Sequence, residues 1–281
     1  MSFLLDPFHS AFMQRALLEA LLLGVVAAIV SVFVVLRRLA FVSDVLTHTV
    51  FPGVVIGFLV AGTGGIVWGA LVFAVLSAVL LTVLAARARV TEDASMAIVL
   101  TGFFAFGVIL VSRRAGFTTD LTAFLFGRIL TVDRTQILVT AVLGAIVLLL
   151  LGLLGKELLL RAFDPAGAEA RGYRVLLLDL VLNLAVALVV VAAVRAVGTV
   201  LVIALLVVPG AAGRLLSDRL AGITLAAIVV AALGGWLGLV ASWQASVNHG
   251  LRLASGATVV LVLVVLYGLA AGVAALRKAR A

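Results

Sequence analysis

Cysteine is missing from the chain altogether, which excludes disulfide bridges and thiolate metal sites in any compartment. Charge is scarce as well. Asp, Glu, Lys and Arg make up 11% of the 281 residues and the apolar types 65%, against about 25% and about 45–50% in a soluble domain. Such a chain is an integral membrane protein with little room for a soluble domain. The sequence motifs of nucleotide binding and catalysis are absent too. Gly155-Lys156 is followed by Glu157 and lacks the leading glycine of a phosphate-binding loop, and no H-E-x-x-H, nucleophile elbow or dinucleotide fingerprint occurs. An enzyme is not expected, and any ATP that drives this protein must be bound by another chain. With no repeat of fixed period and no Ser/Pro-rich linker, residues 1–281 read as a single transmembrane domain.

What is present is a series of apolar runs, each long enough to cross a bilayer at about 17–25 residues. They fall at 17–36, 44–61, 66–85, 96–112, 135–154, 175–194, 197–213, 220–243 and 255–276. The pair at 175–194 and 197–213 is joined by a tight turn near Arg195. Merging that pair is the main competing reading, so the expected fold is an all-α polytopic transmembrane helical bundle of about 8–9 spans. The piece at 121–132 is too short to cross and is read as re-entrant or interfacial. The formal net charge of +8 would suggest nucleic acid in a soluble protein. Here the arginines cluster at the ends of apolar runs, as the positive-inside rule predicts, and nucleic acid is set aside. An N-terminus outside and a C-terminus in the cytoplasm put most of the 20 basic residues inside. The first run lacks a basic leader and a cleavage site and ends at Arg37-Arg38, so it is read as a retained span.

The chemistry concentrates in RRLAFVSDVLTHTVFPGVVIG, Arg37 to Gly57. Asp44 and His48 stand four residues apart, on one face of a helix and about 6 Å apart along its axis. A carboxylate and an imidazole so placed could hold a cation or handle protons; the plainer reading is a helix cap at Asp44 beside Ser43 and a hydrogen-bonded core histidine. Pro52 cannot donate to the carbonyl of His48. That carbonyl is then either a further oxygen ligand or the mark of a packing kink. Gly155 to Arg174, GKELLLRAFDPAGAEARGYR, is the longest polar segment. Pro165 after Asp164 could open a short surface helix there and Gly172 could close it; an ordinary solvated loop is the alternative. Pro209 sits in a small-residue run, LLVVPGAAGRLL, that permits close helix packing. Gly53/Gly57, Gly234/Gly238 and Gly268/Gly272 have the same permissive spacing. Asp179 and Asn183 form another i, i+4 pair, read as helix–helix hydrogen bonding. His249 beside Asn248, and His9, are read as surface histidines.

The Arg37–Gly57 pattern resembles the zinc/manganese/iron-type ABC importer permeases, in which two arginines precede an Asp, a His four residues on, and then Pro-Gly. DLTAFLFGRIL, AFDPAGAEARGY and VGTVLVIALLVVPGAAGRLL follow in the order of that family, so the resemblance covers most of the chain. It implies the multi-pass membrane subunit of an ABC importer in the plasma membrane, with a divalent metal (Zn, Mn or Fe) as transported substrate and no permanently bound cofactor. The partners it implies are a second copy of the chain, a cytoplasmic ABC ATPase carrying the ATP, and an extracellular metal-binding protein, all in a lipid bilayer. On the motif match Asp44 and His48 are the metal-contacting pair. Asp164, Pro165, Ala168, Glu169, Arg171 and Gly172 belong to the ATPase-docking segment.

One chain offers one Asp and one His at this place, too few for a metal. A two-fold pair would bring two of each to the axis, a set that suits tetrahedral Zn²⁺ or, with added waters, Mn²⁺ or Fe²⁺. Three other readings compete. One is an ABC permease for an iron chelate or a cobalamin-like cofactor. The others are a proton-coupled secondary cation transporter using Asp44, and a structural membrane subunit.

Overall fold

The structure is a computed structural model in which residues 6–87, 91–112, 127–249 and 253–280 are described. Within them the regular structure is helical, as an apolar chain in lipid requires: each backbone N–H and C=O must be satisfied inside its own segment. The helices are α1 (Ala11–Leu36), α2 (Ala40–Thr49), α3 (Phe51–Arg87), α4 (Glu92–Ser112), α5 (Arg134–Phe163), α6 (Pro165–Ala170), α7 (Val175–Leu216), α8 (Leu220–His249) and α9 (Ser255–Arg280). Seven helical segments among the described residues are long and apolar enough to cross a membrane. Two of these are over-long, at 47 residues (Ala40–Ala86) and 42 residues (Val175–Leu216). At 1.5 Å per residue each would extend roughly 60–70 Å, about twice a bilayer core.

Both long segments are broken at a glycine. In α3 the break is at Ala61 (φ −135°) and Gly62 (φ 61°, ψ −147°); in α7 it is at Gly198 (φ 76°, ψ 164°). Only glycine takes these positive-φ conformations without the clash of a Cβ. The tight turn expected near Arg195 therefore lies a few residues later, because the chain can reverse at Gly198 and not at Arg195.

The chain forms two compact units: residues 1–35, 123–144 and 192–281 make one, and residues 36–122 and 145–191 the other. The first unit is assembled through small residues. Gly24 of α1 lies against Ala231 of α8, and Gly235 of α8 against Ala20 of α1. Gly210, next to Pro209, sits on the backbone of Ser31, and Gly213 sits on the carbonyl of Ile223. A Cβ at either of the last two positions would overlap main chain, so the small-residue run after Pro209 is what allows α7 to close on α1 and α8. Gly234 and Gly238 take up Leu263 and Val259 of α9 in the same way. Gly127 (φ 68°) presses on the backbone of Val197, where Arg128 N–H donates to the Ala196 carbonyl at 3.0 Å. Ile129–Thr131 is a single 3-10 turn. Residues 121–126 of the short piece lie outside the described residues, as do Arg113 and Arg114.

In the second unit α3 folds back on itself. Gly53 packs on Gly69 and Gly57 on Gly65, an antiparallel register with Gly62 at the bend. Asn183 Nδ2 of α7 donates to Thr82 Oγ1 of α3 at 2.9 Å.

Three sequence boundaries move. Helix α1 starts at Ala11, six residues before the expected span. Helix α5 continues to Phe163, so Lys156, Glu157 and Arg161 ride on a helix and only the residues from Asp164 onward form the connection. Helix α8 reaches His249, past the expected end of its apolar run at 243. In each case charged or polar residues carry a helix past the end of its apolar run. Outward faces carry Val72, Leu153 and Leu261, all exposed, as residues facing lipid tails should be.

Candidate metal site and the Asp179 cluster

Helix α1 ends at Leu36, and a turn over Arg37 and Arg38 starts the chain into α2. Arg38 adopts φ 57°, a left-handed conformation that costs a non-glycine residue about 1–2 kcal/mol. Helix α2 begins at Ala40 with Leu39 as N-cap and no side-chain cap. Asp44 is therefore inside the helix. The helix-cap reading of this residue is overturned, since the turn at Arg38 starts the helix a full turn earlier.

Asp44 and His48 then stand one turn apart on one edge of α2, with His48 Nε2 3.5 Å from Asp44 Oδ1. Their side chains are 34% and 26% accessible, while Ser43, Thr47 and Thr49 on the other faces are fully buried. Thr47 Oγ1 donates to the Asp44 carbonyl at 2.6 Å and Thr49 Oγ1 to the Leu46 carbonyl at 3.2 Å. These hydroxyls are satisfied within their own helix, which leaves the Asp–His edge as the part of α2 that offers polar atoms outward. The imidazole is oriented from α4: its ring meets Phe104 edge-on at 5.6 Å and 86°, and Phe104 in turn packs on Phe51 at 6.1 Å.

The carbonyl of His48 is not left open by Pro52. At the end of α2 Val50 keeps helical angles, and backbone N–H groups of the cap reach the carbonyls of Leu46 and His48. The extra oxygen ligand is thus withdrawn in favour of a simple helix junction. Among the described residues no group of three or more His, Asp or Glu side chains comes together. Asp44 and His48 are two donors, and a divalent cation bound by this chain alone would have the rest of its shell from water.

Around the start of α2 the second unit carries a cluster that sequence reasoning did not assemble. Asp179 of α7 accepts from Arg37 Nη1 at 2.7 Å on Oδ1 and from Arg161 Nη2 at 2.9 Å on Oδ2. The three side chains are 12–24% exposed, so this is a carboxylate clamped between two guanidinium groups with little water. A cavity of about 390 Å³ opens beside it, with Thr82, Glu169 and Asn183 also in its wall. The reading of Asp179 and Asn183 as hydrogen-bonding residues holds, but their partners were not legible, since Arg37, Thr82 and Arg161 are distant in sequence.

The segment after α5 forms the short helix. Asp164 caps α6, its Oδ1 accepting from Gly167 N at 2.8 Å, with Pro165 in the first turn. Gly172 (φ 84°) closes it, with Gly172 N–H on the Glu169 carbonyl at 2.9 Å and Tyr173 N–H on the Ala168 carbonyl at 3.1 Å. Ala168 is fully buried, whereas Asp164, Pro165, Glu169, Arg171 and Gly172 are exposed. Exposed polar groups around one buried alanine make a firm, outward-facing knob. His9 is exposed, and the side chain of His249 lies outside the described residues.

Sequence reasoning also passed over Glu19, which the structure buries completely in α1. A lone acid inside an otherwise apolar span was the available signal.

A chain of apolar helices with an Asp–His edge, a small-residue core and a capped surface knob has the make-up of a metal-importer permease, and comparison with known proteins agrees. Residues 9–274 match the family described as ABC 3 transport family. The manganese transport system membrane protein MntC of Halalkalibacterium halodurans is 37% identical over 96% of this chain and 90% of its own length. The chelated iron transport system membrane protein YfeD of Yersinia pestis is 37% identical over 83% and 79%. Among solved structures, PsaBC from Streptococcus pneumoniae in complex with Fab superposes with a TM-score of 0.81 at 30% identity, covering 95% of this chain and 94% of that one. The chain belongs to the ABC 3 transport family of metal ABC importer permeases. It is a multi-pass plasma-membrane transport subunit and not itself an enzyme.

Proposed function

We propose that this chain is the path by which manganese or ferrous iron enters the cell, with Asp44 and His48 as its share of the metal site. The observation that carries the reading is the α2 edge: a carboxylate and an imidazole one turn apart, accessible where the rest of the helix is buried. Relatives named for manganese and for chelated iron transport support the choice of metal. Carboxylate, imidazole and water together suit Mn²⁺ and Fe²⁺, and Zn²⁺ is the natural competitor. A second copy of the chain, related by a two-fold axis, completes the site with another Asp and His.

The same reading assigns nine crossings, counting two for each of the segments broken at Gly62 and Gly198. The N-terminus lies outside and the C-terminus in the cytoplasm, in accord with the positive-inside rule. Asp164, Pro165, Ala168, Glu169, Arg171 and Gly172 then form the cytoplasmic knob on which a separate ATPase docks, and an extracellular binding protein delivers the metal. The Asp179 clamp gives the ATPase a route to the metal. Arg161 lies at the end of the helix that leads into the knob, Arg37 lies at the turn that starts α2, and one carboxylate holds both. Motion of the knob is thereby passed to the helix that carries Asp44 and His48.

The test is radiolabelled manganese, iron and zinc uptake by cells carrying the complete transporter. Asp44→Ala and His48→Ala should each abolish uptake while the complex still assembles. Normal uptake by both variants would refute the site.

A further inference from the structure

The strongest group left over by the transport reading is in the first unit, about two turns inside the start of α1. Glu19 is 0% exposed. Its Oε1 accepts from Thr140 Oγ1 of α5 at 2.7 Å, and its Oε2 is buried with no hydrogen-bond partner among the described residues. Gln136, one turn before Thr140, adjoins the same hydroxyl, its Nε2 lying 3.5 Å from Thr140 Oγ1. Gln136 Nε2 donates to the Ala192 carbonyl of α7 at 2.9 Å, and that bond settles which way the amide faces, because a flipped amide would set oxygen against oxygen. Gln136 Oε1 is then a second buried acceptor with no donor among the described residues. Two neighbouring side chains thus each hold an unfilled acceptor in a place sealed from water.

A carboxylate here would need a compensating cation. Among the described residues Glu19 makes no ion pair. Within the first unit the other charged groups on α1, α5 and α7 are exposed. Arg15 on α1, Asp133 and Arg134 at the start of α5, and Arg195 on α7 are exposed, and α8 carries no charged residue from 220 to 247. Arg15 Nε is engaged with the Ala11 carbonyl, and Asp133 Oδ1 accepts from Gln136 N. An isolated buried carboxylate costs several kcal/mol, whereas a neutral carboxylic acid has one donor to give.

We propose that Glu19 is a proton-binding site within the membrane, held as the neutral acid, its Oε2 hydroxyl donating to Gln136 Oε1. One proton fills both empty positions and turns the Glu19–Thr140–Gln136–Ala192 cluster into a closed network joining α1, α5 and α7. Its class of ligand is H⁺; a sodium or potassium ion among the same oxygens is the rival occupant, and it would require the ionised form.

The test uses the full-length chain purified in detergent at neutral pH. Infrared spectra of wild type and Glu19→Gln are compared for the carboxylic-acid C=O stretch, and both are melted with and without sodium. The expected result is an acid band, lowered in frequency as in a hydrogen-bond donor, that is lost in Glu19→Gln. That variant should melt within a few degrees of wild type, because its amide can both accept from Thr140 and donate to Gln136. No acid band lost in the variant, a band at the position of a free acid, or a variant that fails to fold or loses a sodium-dependent stabilisation would each overturn the proposal.

Discussion

Removing the carboxylate of Asp179 should be among the most damaging single changes away from the candidate metal pair. Asp179→Ala deletes two charge-assisted hydrogen bonds, at 2.7 Å to Arg37 and 2.9 Å to Arg161, each worth about 1.5–3 kcal/mol. It also leaves two guanidinium groups, 12% and 18% exposed, facing each other without a counter-charge. Breaking a fully buried pair costs about 3–5 kcal/mol. Asp179 is 24% exposed, so water entering the cavity beside it screens part of this, and about 3 kcal/mol is expected. At about 2–4 °C per kcal/mol, thermal unfolding of the detergent-solubilised protein should fall by roughly 6–12 °C. Adding Arg37→Met and Arg161→Met to Asp179→Ala should restore much of the loss, because the charges then leave together. Uptake should remain low in that triple variant, since the link between knob and α2 is gone. A single Asp179→Ala variant that melts within about 1 °C of wild type would refute the clamp as a stabilising element.

The glycines separate into two kinds. Gly57→Val places a branched side chain against the Gly65 carbonyl and should abolish folded protein in a size-exclusion assay. Gly268→Ala and Gly272→Ala, which meet open space, should each raise helix stability by up to about 1 kcal/mol, read as a higher melting temperature. Asp164→Ala removes the cap of α6 and should cost about 1 kcal/mol, with a weakened pull-down of the ATPase as the more sensitive readout.

The candidate metal pair was legible because it is local. Four residues of separation on a helix is a geometric statement, and it holds whether α2 starts at Ala40 or at Ser43. The surface helix at Pro165–Ala170 was legible for the same reason, its cap and its closing glycine lying within a few residues of each other. Gly268 and Gly272 show the limit: their spacing is that of Gly53/Gly57 and Gly234/Gly238, yet among the described residues they pack against nothing. Spacing states only that close approach is permitted, and a neighbouring helix decides whether it occurs.

Composition and local pattern alone thus determined an all-helical membrane chain, the Asp44/His48 edge and the capped knob. These depend on solvent and on contacts within one or two helical turns. Tertiary structure decided that Arg37 and Arg161 share Asp179 and that Glu19 meets Thr140. It also decided that the carbonyl of His48 is already occupied. Those pairings join residues up to 142 positions apart. In an apolar interior a polar group has few partners to choose from, and which one it finds is set by the packing of whole helices.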